Sequence, residues 1–167
     1  MESKQPQPSL LIVWHSRTGA SERMALEAAH AASAEVATQC VRASETSAQH
    51  MTEANAYLFV CPENLGSMSG EMKEFFDRLY YPLLGMIEGR AYATIIAAGS
   101  DGSGAESQID RIVTGWRLKR VADPLIINFD AQTPEKILAT KSVPELALVQ
   151  SNQLGAALGG GVALGVF

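Results

Sequence analysis

The sequence predicts an α/β fold in three layers, with a five-stranded parallel sheet covered by helices on both faces. Short apolar runs of strand length alternate five times with helical patterns along the 167 residues. Most of the runs are predominantly apolar and do not alternate strictly with polar residues, which is typical of strands buried on both faces. With 47% hydrophobic and 19% charged residues, the chain has the composition of a folded domain and the length for one sizeable core.

The five strands are predicted from apolar composition and from the residues that bound them. They are expected at residues 9–14, 36–41, 56–61, 92–98 and 125–129. The third strand is the strongest by composition, and Pro62 is expected to end it because proline lacks the N–H that a sheet ladder needs.

Helical patterns separate these strands. An Ala-rich helix is expected at residues 21–33, a weaker one at 46–53, and another around 109–116. The clearest helix follows the third strand, where apolar residues from Met72 to Leu84 recur at i, i+3, i+4 and i+7 and Ser69 is placed to cap it.

The last helix is expected to begin near Ser142, at a capping-box sequence, and to end before Gly159. We therefore expect a loose N-terminus at residues 1–8, one domain at 9–160 and a Gly-rich apolar tail at 161–167. A loose terminus and a subunit contact are both open interpretations of that tail.

Charge and composition exclude several classes of function. The net charge of −5 argues against nucleic-acid binding, which usually requires a basic face. No apolar run approaches the length of a membrane span, and the first nine residues lack the apolar stretch of a secretory signal, so we expect a cytoplasmic protein. Two cysteines without a metal-ligand spacing predict free thiols and no metal site.

Three loops that follow predicted strands carry the residues of interest. In a parallel sheet such loops leave the same edge, where ligands bind. The first, residues 15–21 (His-Ser-Arg-Thr-Gly-Ala-Ser), combines hydroxyls, a glycine and a helix start, and its backbone N–H groups suit a phosphate. The alternative is that Thr18 and Ser21 only cap the helix.

The second loop, residues 62–70, is long for a strand-to-helix connection, and its glycines would let the main chain approach a flat ligand. The third, residues 99–104, has three glycines that could surround a ligand edge. An ordinary surface loop and a flexible turn are the respective alternatives. The dinucleotide fingerprint, the Walker loop and the acidic pattern of a phosphoacceptor receiver are all absent from these loops.

Taken together, the three loops resemble those of flavodoxin-like flavoproteins. The first is similar to their phosphate loop. The run Pro-Glu-Asn-Leu-Gly-Ser-Met-Ser-Gly at 62–70, followed by Met-Lys-Glu-Phe-Phe-Asp-Arg at 72–78, looks like the flavin-ring loop and helix of flavodoxin-like NAD(P)H-dependent oxidoreductases. The resemblance covers roughly residues 9–160 and implies the strand order 2-1-3-4-5. Ala20 and Ser21 depart from the Asn-Thr of many flavodoxins, which removes one side-chain donor.

The resemblance implies FMN as cofactor, held through three sets of residues. The implied phosphate contacts are Ser16, Arg17, Thr18, Gly19, Ala20 and Ser21. The implied contacts along the flavin ring are Pro62, Glu63, Asn64, Leu65, Gly66 and Ser67. The implied contacts at its far edge are Gly99, Ser100, Asp101, Gly102 and Gly104. No side chain is assigned a catalytic role, because the flavin itself supplies the chemistry.

The second and third loops contain no aromatic residue that could cover the ring, and the surface charge is mild. An open ring face favours an oxidoreductase that takes electrons from NAD(P)H and passes them to a quinone or similar acceptor. A flavodoxin-type electron carrier without NAD(P)H activity is the alternative. A carboxylate at Glu63 would disfavour a reduced, anionic flavin. By analogy with the family, a homo-oligomer is also possible.

Overall fold

The computed structural model describes residues 7–167 as one α/β domain. The first six residues of the expected loose N-terminus lie outside the described residues. The strands are β1 Ser9–Trp14, β2 Ala37–Arg42, β3 Ala56–Asn64, β4 Ser67–Met68, β5 Ala91–Ala98, β6 Lys119–Arg120 and β7 Leu125–Asn128. The helices are α1 Ala20–Ser33, α2 Ala48–Glu53, α3 Gly70–Leu79, α4 Ser103–Gly115, α5 Pro134–Leu138 and α6 Glu145–Ala163.

The parallel sheet has the predicted order. Its hydrogen-bonded path runs β2-β1-β3-β5, and the fifth position is divided between β6, which pairs with the start of β5, and β7, which pairs with its end. The predicted order 2-1-3-4-5 is therefore confirmed, with β7 as the predicted fifth strand. The short β4, which the sequence did not predict, pairs antiparallel with the end of β3.

Two apolar cores, one on each face of the sheet, confirm the three-layer architecture. One core joins the sheet to α3 and α4 around Phe59, Phe76 and Trp116. The other joins it to α1 and α6 around Ile12 and Met24. Residues of the central strands β1, β3 and β5 alternate between the two cores, which explains why these strands are apolar on both faces.

The sequence predicted that Pro62 ends the third strand, and this prediction is wrong. Strand β3 continues to Asn64, and Pro62 pairs with Ala97 of β5. The carbonyl of Pro62 still accepts the N–H of Ser69, at 3.1 Å. Proline is tolerated here because β3 leaves the centre of the sheet at this point and turns into a hairpin with β4.

The expected helix end before Gly159 is also wrong. Helix α6 runs without a break to Ala163, so the tail predicted to begin at residue 161 starts inside the helix. The glycines are accommodated because α6 lies almost backbone to backbone on α1: a Cβ on Gly155 would stand 2.1 Å from the carbonyl oxygen of Ala28. The capping box near Ser142 is not formed either, and the helix begins at Glu145.

Among the helices of residues 7–167, none is long and apolar enough to cross a membrane.

Candidate functional site

A cleft of about 290 Å³ opens at the carboxyl edge of the sheet, beside the start of α1. This is the edge at which open α/β sheets bind ligands, and the volume lies near the lower limit for small-molecule sites, roughly 300–1,000 Å³. Twelve of the predicted site residues line it: Ser16, Arg17, Thr18, Ala20, Ser21, Pro62, Glu63, Asn64, Leu65, Gly66, Gly99 and Ser100. The three loops chosen from the sequence therefore do meet in one place.

At the phosphate-loop end of the cleft, the start of α1 has an unused hydrogen-bonding group. Gly19 adopts φ 95° and donates its N–H to the hydroxyl of Ser16, which turns the chain into the helix. The Ser21 side chain is buried, 1% exposed, and its hydroxyl has no hydrogen-bond partner among residues 7–167. A buried hydroxyl without a partner is costly, so this group is placed to bind a ligand.

Two cations stand at the same end without a carboxylate partner within the described chain. Arg17 donates to the side-chain oxygen of Asn64 at 3.0 Å. Lys141 donates its ammonium to the backbone carbonyls of Lys136, Ile137 and Ala139, and desolvation lowers its pKa. The backbone N–H of Lys141 also donates to the carbonyl of Thr18, at 2.9 Å, which ties this residue to the phosphate loop. This end of the cleft therefore favours an anion.

The second loop forms the opposite wall as a tight hairpin. Asn64 and Ser67 pair across β3 and β4, and Leu65 and Gly66 make the turn with φ 53° and φ 75°. Positive φ at both central positions is the pattern of a type I′ turn, which glycine and asparagine adopt easily and leucine does not. Leu65 is nevertheless in this conformation and is 97% exposed.

The hairpin is fastened to α4 by Glu63. Its carboxylate accepts the N–H groups of Gly102, at 2.9 Å, and Ala105, at 3.0 Å. The N-cap residue of α4 is Gly102, which has no side chain, so Glu63 supplies these two acceptors from another loop. Glu63 therefore joins the second loop to the third.

Two further residues on the same face of α4 complete this attachment. A Cβ on Gly104 would stand 2.0 Å from the carbonyl oxygen of Gly66, so a glycine is required for the hairpin to lie against the helix. One turn later, the side-chain oxygen of Gln108 accepts the N–H of Met68 at 2.8 Å. We call Glu63, Gly104 and Gln108 the hairpin anchor.

A strap after β7, residues 129–141, closes the cleft from the third side and was missed by the sequence analysis. Phe129, Ala131, Ile137 and Lys141 of this strap line the cleft, together with Ala97 and Ala98 of β5. The N–H of Ala131 donates to the carbonyl of Gly99 at 2.8 Å. Nothing in the local sequence marks these residues, because they reach the cleft only through the fold.

Five predicted site residues do not line the cleft, because their backbone or side chains are used to shape the loops. Gly19 makes the left-handed turn into α1. The hydroxyl of Ser67 bonds to its own hairpin, and Asp101 accepts from Ser103. Gly102 and Gly104 hold the hairpin to α4.

His15 belongs to the first loop, but its side chain contacts the start of α3. Its Nδ1 lies 2.7 Å from the hydroxyl of Ser69 and its Nε2 lies 3.4 Å from the carboxylate of Glu71. The sequence predicted that the Ser69 side chain caps α3. The structure shows no such cap, because this side chain bonds to His15. Burial is the main cause that lowers the pKa of His15, and the Glu71 carboxylate opposes it.

The parallel sheet, its strand order and the cleft at its carboxyl edge define a protein of the flavodoxin-like α/β class. A sequence model of the family described as NADPH-dependent FMN reductase matches residues 15–122, more than half of the chain. The chain belongs to this family, and it is a flavodoxin-like flavoprotein. A comparison with curated protein sequences finds no match.

Several solved structures share the fold of this chain. A flavodoxin from the domain Archaea is 16% identical with a TM-score of 0.74, and the alignment covers 92% of this chain and 98% of that one. A WrbA-like flavodoxin protein from Agrobacterium tumefaciens is 16% identical with a TM-score of 0.69, covering 91% and 95%. The flavodiiron protein from Giardia intestinalis is 20% identical with a TM-score of 0.75, covering 94% of this chain and 36% of that one. At these identities the likeness concerns the fold.

Proposed function

We propose that the protein is an FMN-dependent oxidoreductase that takes electrons from NAD(P)H and passes them to a quinone or similar acceptor. The observation that carries the proposal is the buried, unpartnered hydroxyl of Ser21 at the start of α1, beside Arg17 and Lys141. This donor set suits the dianionic phosphate of FMN. Family membership supports the cofactor and the class of reaction.

The chemistry of the cleft-lining residues supports FMN at two parts of the molecule, the phosphate and the ring. Ser16, Thr18 and Ser21 would bind the phosphate through hydroxyl and backbone donors. The apolar wall that includes Ala97 and Phe129 suits the flat face of an isoalloxazine ring. When bound, FMN supplies the capacity to accept a hydride and to release its two electrons.

The overall reaction balances without any further reagent. NAD(P)H gives up a hydride, which carries two electrons and one proton, and becomes NAD(P)⁺. A quinone gains these two electrons, that proton and a second proton from solvent, and becomes a hydroquinone. The role of the protein is to position the reacting rings at van der Waals distance and to limit the access of water.

The test is a titration of the purified protein with FMN, followed by flavin fluorescence, and then anaerobic addition of NADPH or NADH. Saturable quenching followed by rapid loss of visible flavin absorbance, restored by benzoquinone, is the expected result. Saturable binding without bleaching by either nucleotide would instead favour the flavodoxin-type carrier, which the flavodoxin likeness also fits. Absence of FMN binding would refute both functions.

A further inference from the structure

Leu65 stands in a position that the stability of the fold does not explain. Its side chain is 97% exposed, and its backbone has φ 53°. An L-residue other than glycine, asparagine or aspartate is disfavoured in this region by contact between Cβ and the backbone. The leucine therefore contributes no buried packing and strains the backbone of the turn. Residues with strained backbone conformations concentrate at functional sites.

The hairpin that carries Leu65 is held firmly despite this strain. On one side it is attached to α4 by hydrogen bonds of the Glu63 carboxylate and the Gln108 amide. The absence of a side chain at Gly104 allows the close approach to the helix. On the other side the amide of Asn64 accepts from Arg17 of the phosphate loop, at 3.0 Å. These contacts fix the base of the hairpin, and Leu65 at its tip belongs to the cleft lining although it is 97% exposed.

The surroundings of the tip favour a neutral, apolar molecule. Beyond the wall assigned above to the flavin, the cleft lining includes the carbon-rich side chains of Ala98 and Ile137. Among the neighbours on the hairpin, the charged group is the carboxylate of Glu63, and the guanidinium of Arg17 already bonds to Asn64. An anionic nucleotide gains little from such a tip, whereas an aromatic ring gains contact area with the leucine.

We infer that Leu65 determines the specificity for the electron acceptor by contacting an apolar aromatic ring, of the quinone class, at the mouth of the cleft. This inference rests on the proposed function. The leucine acts through contact with the acceptor, and Glu63, Gly104 and Gln108 keep it in place.

The substitution Leu65→Asn separates the turn from the contact, because asparagine is favoured at this position of a type I′ turn. In the absence of FMN we expect the Tm to rise by roughly 2–4 °C as the strain is relieved. With FMN bound, we expect kcat/KM for 1,4-naphthoquinone to fall roughly tenfold relative to kcat/KM for ferricyanide, a hydrophilic anionic acceptor. Leu65→Gly should act in the same direction.

Leu164→Asn is the matched control, because Leu164 is 81% exposed at the end of α6 and lies outside the cleft lining. Its ratio of the two kcat/KM values should equal that of the wild type. A readout independent of turnover is the ¹³C-methyl NMR signal of Leu65 in the oxidised FMN complex, which should shift on addition of 1-naphthol, a redox-inert analogue.

An unchanged acceptor ratio in Leu65→Asn, or methyl signals that do not move with 1-naphthol, would overturn the inference. A loss of FMN affinity in Leu65→Asn without a change in the acceptor ratio would also overturn it, because the leucine would then contact the flavin. If the wild-type protein binds no FMN, or if NAD(P)H does not bleach it, the proposed function itself fails. The two failures are therefore distinguishable.

Discussion

The attachment of the hairpin to α4 can be tested at Glu63. This carboxylate accepts two backbone N–H groups, those of Gly102 and Ala105, both of which are buried residues. Hydrogen bonds to a charged group contribute about 1.5–3 kcal/mol each, and a negative charge at a helix start adds about 0.3–1 kcal/mol. Because Glu63 is only partly buried, the lower half of these ranges applies.

Glu63→Gln keeps one acceptor oxygen and places an NH₂ group where the second N–H needs an acceptor. We therefore expect the free energy of unfolding of the FMN-free protein to fall by about 2 kcal/mol. Glu63→Ala leaves both N–H groups without this partner and should cost about 3 kcal/mol. Urea denaturation followed by circular dichroism measures both changes.

Glu45→Gln provides the control for the loss of one exposed carboxylate, since Glu45 is exposed in the short helical turn after β2. It should change the free energy of unfolding by less than about 0.5 kcal/mol. Amide exchange gives a local check, because the N–H of Ala105 should exchange faster in Glu63→Gln than in the wild type. If Glu63→Gln is as stable as Glu45→Gln, the carboxylate does not hold α4 as described.

Four further predictions concern the start of α1, the strap, the helix pair and the pH dependence. Ser21→Ala removes a buried hydroxyl that has no partner in residues 7–167, so the FMN-free protein should be as stable as the wild type or more stable by up to about 1 kcal/mol. The affinity for FMN should fall severalfold. A less stable protein with normal FMN affinity would contradict this prediction. Lys141→Met should weaken FMN roughly tenfold and riboflavin, which lacks the phosphate, much less, and equal losses for the two flavins would show that the ammonium does not face the phosphate. Gly155→Ala should lower the Tm strongly, because its Cβ would meet the backbone of α1. Gly160→Ala, with no atom within 4 Å of its Cβ, should raise the free energy of unfolding by about 0.5–1 kcal/mol. Similar Tm values for the two variants would refute the close packing of α6 on α1. The pKa of His15 is lowered in the folded state, so the unfolded chain binds the proton more readily and the free energy of unfolding falls as the pH falls through 6.5. Urea denaturation between about pH 7.5 and 5.5 should show a smaller loss of this free energy for His15→Asn than for the wild type. An equal loss in the two proteins would remove His15 as a cause.

The sequence was sufficient for the sheet and for the loops at its carboxyl edge. The central strands are apolar on both faces, and each loop combines small and polar residues, so the local composition indicates both. The Glu74–Arg78 pair on α3 was likewise predictable from i,i+4 spacing and forms at 2.9 Å.

What the sequence left out depends on residues that are distant along the chain. Lys141 and Phe129 enter the cleft because the strap crosses from β7 to the phosphate loop, and no local pattern marks such a crossing. Glu63 was expected near the flavin ring. It does line the cleft. The sequence did not show that its carboxylate also accepts the N–H groups of Gly102 and Ala105, because these residues lie 39 and 42 positions further along the chain.

Helix α6 was misjudged for a related reason. A run of three glycines at 159–161 predicts a break in an isolated helix, since glycine weakens helices by about 1 kcal/mol each. Packing overrides this preference, because the absence of side chains at Gly155 and Gly159 lets α6 approach Ala28 and Ala32 of α1. Tertiary contact decides the secondary structure here.

The same contact has a consequence for how the molecule matures during synthesis. Helix α1 precedes α6 along the chain, and its apolar flank stays uncovered until α6 is synthesised and docks on Ala28 and Ala32. The hydroxyl and amide groups that open α1 therefore gain a fixed orientation only after α6 has docked.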